Sequence, residues 1–348
     1  MSRIRFGIVG AGWRAEFFLR IAAAAPEHFE MPVVVARNPE KAKRFADLWA
    51  CAIVATTDEM LAGRPLDFAV TSVSWAANPE IVKNLVRRGV PVLCETPPAP
   101  DLNAMIELWQ YVEEHKGQVC VAEQYFLQPY FTAVREIIES GKLGKISQAQ
   151  VSAAHGYHGM SLMRKLLGIS YENATIAARS FTAPLVKGPD RNGPPTEEAV
   201  ADCKQAFFWL DFDGRLGFMD FCGEQYFNWV RGERGEIVNN QITYLQDVRT
   251  PIYLDLLRHS AGGPGNLEGN HLKGIQLGQQ MVYTNPLAPA ALSDDEIAIG
   301  DLMLRMARGE THYTLAEACQ DHYLGLMCEQ ALNSGEEVRT QTQPWSTQ

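Results

Sequence analysis

The chain has 348 residues, of which 46% are hydrophobic and 21% are charged. This length predicts two domains rather than one, and the composition excludes a globally disordered chain. The 41 acidic residues outnumber the 31 basic ones and give a formal charge of −10, so we expect no binding of nucleic acid or of an anionic membrane surface.

The cysteine pattern and the start of the chain indicate the cellular compartment. Seven cysteines are scattered without a Cys-x-x-Cys pair, which is typical of reduced thiols in a reducing compartment. The chain passes from Met-Ser-Arg directly into the apolar segment Ile4–Val9, so we expect no cleavable leader. No run reaches the roughly 18 apolar residues of a membrane-spanning helix. We therefore predict a cytoplasmic protein with no membrane partner.

Short apolar runs alternate with amphipathic segments in the first 125 residues. The predicted strands are Ile4–Val9, Pro32–Ala36, Ala52–Ala55, Phe68–Ser72, Pro91–Cys94 and Val119–Ala122. The predicted helices between them are Arg14–Ala24, Glu40–Leu48, Pro79–Arg88 and Leu102–Glu114. Such alternation is typical of a doubly wound parallel sheet. We predict a dinucleotide-binding Rossmann domain of the α/β class in residues 1–123.

The rhythm changes after a further predicted helix, Tyr130–Ser140. The β-like segments that follow are Ser147–His155, Ala174–Thr182, Lys204–Phe212, Leu216–Phe221, Tyr226–Val230, Glu236–Val238 and Gln241–Leu245. Turn signals between them predict hairpins. Surface loops are expected at Lys187–Glu198 and Ala261–Gly269, and helices at Asp294–Ala307 and Leu315–Ser334. Residues 124–348 are thus predicted to form an α+β domain with a large, mostly antiparallel open sheet.

The first predicted strand is followed directly by a glycine turn, Gly10-Ala11-Gly12-Trp13-Arg14-Ala15, which opens a helix. In such a turn, Gly10 permits the tight bend, Gly12 lets the backbone approach a pyrophosphate, and Ala15 allows close helix–strand packing. The helix start supplies N–H groups and positive dipole to the phosphates. We therefore expect dinucleotide binding by Gly10, Gly12, Trp13, Arg14 and Ala15, although a purely structural glycine turn fits the same pattern.

The residue at the end of the second predicted strand is expected to bind the adenosine ribose of such a cofactor. An acid there binds the 2′-hydroxyl of NAD, whereas a basic residue accommodates the 2′-phosphate of NADP. The sequence has Arg37 and Asn38 at this point and no acid, and Arg14 and Lys41 are near enough to join Arg37. This pattern favours NADP over NAD. In the alternative interpretation, Arg37 stacks on the adenine or lies in solvent.

The segment Cys94–Pro98, with the sequence Cys-Glu-Thr-Pro-Pro, ends the fifth predicted strand. Together with the glycine turn, Gly141–Ile146 and Tyr283–Pro286, it resembles the Gfo/Idh/MocA family of nicotinamide-dependent oxidoreductases. The resemblance implies a Rossmann domain followed by an open sheet that often packs against a partner subunit. It therefore implies a homo-oligomer, a dimer or tetramer through the open sheet, that acts on a small polyhydroxylated substrate.

The resemblance also implies residues at the cofactor, namely Ser72, Glu95 and Thr96. In this family the motif after the fifth strand reads Glu-Lys-Pro, and its lysine touches the reacting hydroxyl and the nicotinamide ribose. Thr96 takes the place of that lysine. A hydroxyl can donate a hydrogen bond but cannot supply positive charge. We expect Thr96 to be both a cofactor contact and a catalytic residue of an atypical site.

A second group of candidate catalytic residues lies near the start of the second domain. His158 keeps the position of the family's histidine, whereas Ala154 and Ser161 replace its two acids. His155, Tyr157 and His158 lie within four residues, and each can move a proton or donate a hydrogen bond. We predict that all three are catalytic, with His158 as the proton-transfer residue. In the alternative interpretation, His155 and Tyr157 are core polar residues with satisfied hydrogen bonds.

Three neighbouring features have structural interpretations. His155 and His158 have no acid or cysteine close in sequence that would complete a ligand set, so no metal is expected. Cys94 is expected to be an inert buried thiol. Asp321 and His322, on the last predicted helix, are expected at the surface or in packing.

The sequence therefore predicts an NAD(P)-dependent oxidoreductase that transfers hydride between a nicotinamide cofactor and a sugar, sugar acid or cyclitol. Two alternatives stay open. One is a lyase or hydrolase that uses bound NAD to oxidise a sugar transiently. The other is a non-catalytic ligand-binding relative that kept the Rossmann fold.

Overall fold

The computed structural model describes residues 2–188, 195–221, 227–262 and 269–347, which divide into two compact units. The first unit comprises Met1–Tyr130, Arg258–Ile275 and Tyr283–Cys319, and the second comprises Phe131–Leu257, Gln276–Val282 and Gln320–Gln348. The first unit thus holds the predicted dinucleotide-binding segment together with two later segments. The domain boundary at residue 123 stays a prediction.

Helices in the described residues follow the predicted positions closely. They are α1 Ala15–Ala24, α2 Pro39–Trp49, α3 Thr57–Leu61, α4 Asn78–Arg87, α5 Leu102–Glu114, α6 Pro129–Glu139, α7 Gly156–Leu167, α8 Asp294–Ala307 and α9 Leu315–Ser334. Of these, α7 was given no predicted range, and α3 was not predicted, because five residues are too short to show a helical period. Its local signal is the cap, since Thr56 Oγ1 accepts a hydrogen bond from the Glu59 N–H at 3.2 Å. Short 3₁₀ helices lie at Tyr125–Leu127 and Pro344–Thr347.

The first six strands form the core of the first unit. They are β1 Phe6–Val9, β2 Val33–Val35, β3 Ala52–Val54, β4 Phe68–Thr71, β5 Val92–Cys94 and β6 Val119–Val121. Their order is β3-β2-β1-β4-β5-β6, and every pair is parallel. The central strands are buried along their whole length, as parallel strands covered on both faces should be. The predicted Rossmann sheet is confirmed, with its reversal of strand order between β1 and β4.

Later segments belong to the first unit because they pack on its early elements. Arg20 on α1 donates from Nε to Glu296 Oε1 on α8 at 2.5 Å. A side-chain carbon at Gly300 on α8 would lie 3.3 Å from Ile21 on α1. The Val121 N–H of β6 also donates to the Tyr313 carbonyl at 3.0 Å. The parallel sheet is therefore supported by chain from both halves of the sequence.

A second sheet has eleven strands. They are β7 Ile146–Val151, β8 Thr175–Val186, β9 Val200–Asp211, β10 Leu216–Met219, β11 Trp229–Gly232, β12 Gly235–Val238, β13 Gln241–Leu245, β14 Pro251–Ala261, β15 His271–Leu277, β16 Gln280–Thr284 and β17 Val338–Arg339. Their order is β16-β15-β14-β13-β12-β11-β7-β10-β9-β8-β17. The pairs from β17 to β14 are antiparallel except for β7 with β10, which is parallel. The prediction of a large, mostly antiparallel open sheet is confirmed.

Several predicted segments of this sheet need correction. The strand predicted over Ser147–His155 ends at Val151, because α7 begins at Gly156 and His155 is its N-cap residue in an extended conformation. Strands β14 to β17 were not predicted. Most residues of β14 and β16 are exposed, and β17 has only two residues, whereas β15 is buried at five of its seven residues without a regular apolar alternation. Tyr226 and most of the predicted loops at Lys187–Glu198 and Ala261–Gly269 lie outside the described residues.

Strands β8 and β9 pair over their full twelve residues, from Thr175 opposite Asp211 to Val186 opposite Val200. The neighbouring strands reach only one end of this hairpin: β17 pairs with β8 at its first two residues, and β10 pairs with β9 at its last four. The rest, residues 179–186 with 200–207, is a two-stranded ribbon beyond the printed pairings of both neighbours. We call it the β8–β9 ribbon.

The end of β1 imposes the tightest backbone constraint of the first unit. Gly10 has a φ of +119°, and a side-chain carbon there would lie 2.0 Å from the Ser72 carbonyl oxygen. A side-chain carbon at Gly12 would meet no atom within 4 Å. Gly10 is therefore required by the fold itself, whereas the space beside Gly12 is open.

We expect Gly10→Ala to lower the free energy of unfolding by about 3 kcal/mol or more, because the φ is unfavourable for alanine and a backbone oxygen occupies the added atom's position. Gly12→Ala, the matched control, should stay within about 0.5 kcal/mol of the parent. Denaturant unfolding of both variants checks this. Equal stability of the two variants would contradict the close approach of Ser72.

Candidate cofactor and catalytic sites

The glycine turn lies at the carboxyl edge of the parallel sheet, where strand order reverses. Ligands of open α/β sheets bind at such an edge. The N-cap residue of α1 is Arg14, and no side chain caps the helix start. The N–H groups of residues 15–17 donate to the carbonyls of Gly12, Trp13 and Arg14, so the helix dipole is what favours an anion there. The open space beside Gly12 adjoins this start, so residues 10–15 can hold a pyrophosphate as the sequence predicted.

Arg14 is engaged differently from the expectation that it joins Arg37. Its Nε donates to Glu95 Oε1 at 2.8 Å, and its guanidinium lies 4.4 Å from the centre of the Phe17 ring. Burial opposes the charge, but Glu95 holds the pKa of Arg14 above its usual value through its own charge and this hydrogen bond. Arg14 thus links the glycine turn to the end of β5, and its contact with the cofactor stays a prediction.

Glu95 also fixes the residue that follows it. The Thr96 N–H donates to Glu95 Oε2 at 3.2 Å, and the Glu95 N–H donates to the Thr71 carbonyl at 3.0 Å. Thr96 is half-buried. Glu95 therefore binds Arg14 and Thr96 with its two carboxylate oxygens, and it acts as a bridge between the two predicted contact residues rather than as a free acid.

Ser72 and Cys94 are buried beside this bridge. The Ser72 N–H donates to the Val9 carbonyl at 2.8 Å, which ties the ends of β1 and β4 together. Asn78 Nδ2 lies 2.9 Å from Cys94 Sγ. Burial raises the pKa of the Cys94 thiol to about 12. A thiol that is protonated at neutral pH is a poor nucleophile, which supports the interpretation of Cys94 as inert.

Arg37 follows β2 and is exposed at the same edge of the sheet. Within the described part of the chain, its guanidinium has no ion-pair partner. The neighbouring Asn38 is occupied locally, since its Oδ1 accepts from the Glu40 N–H at 3.1 Å. The structure describes nothing of the Lys41 side chain. Three cations were predicted at this edge. Arg37 is the one of them that lies there without an ion-pair partner among the described residues.

Two exposed tryptophans of the first unit follow strands of the parallel sheet. Trp13 follows β1 and is 49% exposed, and Trp75 follows β4 and is 51% exposed. Trp13 also lies against Phe17, with 5.5 Å between the ring centres. Large apolar side chains exposed at a ligand-binding edge are typical of residues that a ligand covers.

In the second unit, the predicted catalytic residues lie together at the start of α7. The ring centres of Tyr157 and His158 are 4.3 Å apart, and those of His155 and His158 are 5.3 Å apart. His158 is 8% exposed, Tyr157 is half-buried and His155 is exposed. Phe221 contacts the His155 ring at 5.4 Å. The ring centres of His155 and Tyr157 are 6.2 Å apart, so the sheltered His158 imidazole is the middle ring, with the exposed His155 imidazole and the Tyr157 phenol as its neighbours.

The two positions that lost the family's acids are both buried. Ala154 and Ser161 are each 0% exposed, and the Ser161 hydroxyl donates to the His158 carbonyl at 2.9 Å. Neither residue provides a charge at the His158 ring.

Sequence reasoning missed two contacts of α7 with α9, one of which reaches this cluster. Asp321 binds Arg164 of α7 through two hydrogen bonds, Nε to Oδ1 at 2.5 Å and Nη2 to Oδ2 at 3.0 Å, and both side chains are almost fully buried. His322 contacts the Tyr157 ring at 5.5 Å. The packing interpretation of Asp321 and His322 fits these contacts. No local pattern could reveal them, because the contacting residues of α7 and α9 lie more than 150 residues apart in sequence.

In the described residues, no group of three or more His, Cys, Asp or Glu side chains is arranged to hold a metal ion. Nor is any described helix long and apolar enough to cross a membrane.

Comparison of the sequence with known proteins finds relatives that match part of the chain. Myo-inositol dehydrogenase Hyg17 of Streptomyces leeuwenhoekii is 33% identical over 140 residues, which are 40% of this chain and 42% of that protein. Inositol 2-dehydrogenase of Rhizobium meliloti (strain 1021) is 23% identical over 150 residues, 43% of this chain and 45% of that protein. The chain thus spans less than half the length of these curated relatives.

Solved structures share the fold over nearly the whole chain. An oxidoreductase from Agrobacterium radiobacter in complex with NAD⁺, L-tartaric acid and magnesium matches with a TM-score of 0.67 and 17% identity, covering 97% of this chain and 98% of that one. Levoglucosan dehydrogenase in complex with NADH and levoglucosan also has a TM-score of 0.67, with 15% identity and coverage of 97% and 99%.

A family model gives the most specific match. Residues 4–123 match GFO_IDH_MocA, described as an oxidoreductase family with an NAD-binding Rossmann fold. These residues hold the parallel sheet, the glycine turn and the Glu95–Thr96 motif. By this match, residues 4–123 carry the NAD-binding Rossmann domain of the Gfo/Idh/MocA oxidoreductase family.

Proposed function

We propose that this protein is an NAD(P)-dependent oxidoreductase that transfers hydride between the nicotinamide and a CH–OH carbon of a sugar, sugar acid or cyclitol. The observation that carries the proposal is the glycine turn, with open space beside Gly12 at an uncapped helix start. Relatives named as inositol dehydrogenases support the substrate class. The cofactor supplies the redox chemistry when bound, and the protein supplies position and proton transfer.

We propose that Thr96 contacts the nicotinamide ribose or the reacting oxygen. Its N–H is held by Glu95, whose other oxygen binds Arg14. The backbone of Thr96 is thus fixed relative to the glycine turn, while its hydroxyl can donate one hydrogen bond. Because it adds no positive charge, Thr96 cannot lower the pKa of a substrate alcohol as a lysine would. More of the proton transfer must therefore come from another group.

NADP is the preferred cofactor in this proposal, with NAD as the alternative. The exposed guanidinium of Arg37 stands where an acid would bind the ribose hydroxyls of NAD. A charged hydrogen bond contributes about 1.5–3 kcal/mol, which corresponds to roughly 10- to 100-fold in affinity.

We expect the parent protein to bind NADPH more tightly than NADH, and Arg37→Ala to weaken NADPH binding about 10-fold or more while leaving NADH nearly unchanged. Energy transfer from tryptophan to the reduced nicotinamide measures both affinities. Arg64→Ala is the matched control, because this exposed arginine of the first unit pairs with Glu30 at 3.1 Å. Equal losses for the two cofactors, or tighter NADH binding by the parent, would show that Arg37 does not read the phosphate.

His158 is the proposed proton-transfer residue, because imidazole titrates near neutral pH. It is the sheltered histidine of the cluster, packed against Tyr157, whereas His155 is exposed. A sheltered base keeps its proton exchange with substrate rather than with bulk water. Tyr157 and His155 are proposed to assist it through hydrogen bonding.

We expect His158→Ala to reduce turnover about 10²–10⁴-fold, the usual contribution of general acid–base catalysis, with cofactor affinity intact. His155→Ala, at the neighbouring exposed ring, should cost less. Steady-state kinetics with the cofactor titrated separately compares the two variants. A larger loss of turnover from His155→Ala would assign proton transfer to His155 instead of His158. Unchanged turnover in both variants would show that this cluster does not transfer the proton.

Two departures from the family pattern favour a second candidate, a lyase or hydrolase that oxidises a sugar transiently with bound NAD. The missing lysine at Thr96 and the missing acid at Ala154 both weaken the ordinary alcohol oxidation. This candidate consumes substrate without net reduction of the cofactor, so absorbance of reduced nicotinamide during turnover separates it from a dehydrogenase. A non-catalytic relative would bind the cofactor but convert no substrate.

The proposed partner is a second copy of this chain on the open sheet. A two-stranded ribbon is at best marginally stable alone in water, and the β8–β9 ribbon exposes Phe181 at 44%, Phe207 at 46% and Val200 at 63%. Trp209 and Val186 of the same two strands are about half exposed. Since large side chains bury roughly 150–250 Å² each, covering these five contributes several hundred Å² of the roughly 800 Å² per subunit in a stable interface. Two identical ribbons can cover each other symmetrically.

We expect the protein to be a dimer or tetramer, and Phe181→Ser with Phe207→Ser to shift it towards the monomer, because the stacked pair of rings, 5.4 Å apart, leaves the interface. Size-exclusion chromatography with light scattering measures the mass. Leu245→Ser, at a 40% exposed apolar residue of β13, is the control. A monomeric parent would contradict the proposal.

The cytoplasmic location predicted from the cysteine pattern remains part of the proposed function.

A further inference from the structure

Helix α9 carries three consecutive buried polar side chains within the second unit. Gln320, Asp321 and His322 are 2%, 1% and 6% exposed. Buried polar groups are costly unless they are matched by a partner. Gln320 Oε1 accepts from Trp345 Nε1 at 2.9 Å, and Asp321 binds Arg164. These two residues fasten α9 to the end of the chain and to the middle of α7.

His322 points its ring at a different target, the turn that starts α7. Its ring meets the Tyr157 ring edge to face, with 5.5 Å between the centres and 83° between the planes. The backbones are close as well. A side-chain carbon at Gly325, one turn along α9, would lie only 3.3 Å from the Tyr157 backbone nitrogen. Helix α9 therefore backs the Tyr157 turn directly, and His322 is the side chain that supports its ring.

The contact continues to the proposed base. Tyr157 lies 4.3 Å from His158 between ring centres, at an angle of 51°. Tyr157 therefore contacts two rings, that of the buried His322 on α9 and that of His158 in the catalytic cluster. If the support behind Tyr157 is removed, its ring can turn away, and the imidazole of His158 loses the surface that fixes its direction.

We propose that His322 is a positioning residue, which holds the Tyr157 ring against His158 and so orients the imidazole. The proposal rests on the proposed function in assigning proton transfer to His158. His322 itself touches neither substrate nor cofactor in this role. The ring contact is what matters, so an aromatic ring without nitrogen atoms should serve in its place.

The test is an NMR measurement that does not depend on activity. The aromatic ring of Tyr157 displaces the ring-proton resonances of His158, which are assigned from the His158→Gln spectrum. We expect His322→Ala to move these resonances by clearly more than their linewidth and His322→Phe to restore them. The matched control is Gln320→Leu, a change at a neighbouring buried polar residue that faces Trp345 instead; it should leave them in place. If His322→Ala fails to fold, Gly325→Ala probes the same contact, because the added carbon presses on the Tyr157 backbone.

Kinetics complete the test. We expect His322→Ala to lower kcat about 10- to 100-fold, as small misplacements of a catalytic group do, with cofactor affinity unchanged, and His322→Phe to recover most of the loss. Unmoved His158 resonances in folded His322→Ala, or equal movement in Gln320→Leu, would overturn the inference whatever the activity. Moved resonances in a protein whose parent form shows no hydride transfer would keep the ring contact and overturn the proposed function instead.

Discussion

The carbonyl oxygen of Ser72 lies where a side chain at residue 10 would have to be, and the cofactor half of the molecule depends on this close approach. It joins the ends of β1 and β4 at the point where strand order reverses. Only glycine satisfies both the positive φ and the missing space. Once the two strand ends are joined, the chain must leave β1 over the edge of the sheet. That path produces the open space beside Gly12 and an uncapped start of α1.

Electrostatics extend this constraint to the third strand end. Arg14 follows the glycine turn, and Glu95 follows β5, so their ion pair ties β1 to β5 across the edge. Both side chains are largely buried, at 13% and 12% exposed. Removing one partner of a buried ion pair lowers the stability of the fold much more than removing one partner of a surface pair does. The same carboxylate holds the Thr96 N–H. The residue that replaces the family's lysine is therefore positioned by the loop that is proposed to bind the cofactor.

Much of this could be predicted from the sequence because the signals are local. The parallel strands are short apolar runs, and α5, α8 and α9 have the predicted bounds. Each of these helices starts directly after a residue whose side chain caps it, namely Asp101, Ser293 and Thr314. Exposed strands such as β14 were missed, because tertiary pairing rather than an apolar pattern defines them. The site divides in the same way. The glycine turn is one continuous segment of the sequence, and so is the His155–His158 cluster. The contacts that were missed join distant segments: Arg14–Glu95, Arg164–Asp321 and Tyr157–His322.

The central claim, hydride transfer between a CH–OH carbon and the nicotinamide, is tested most directly by following deuterium. The protein is incubated with NADP or NAD and with polyols, sugars and sugar acids deuterated at their CH–OH carbons, and the nicotinamide is analysed by mass spectrometry. We expect reduced cofactor that contains one deuterium from at least one of these compounds. Cofactor that gains no deuterium, with the compounds either unchanged or converted by elimination alone, would contradict the dehydrogenase assignment.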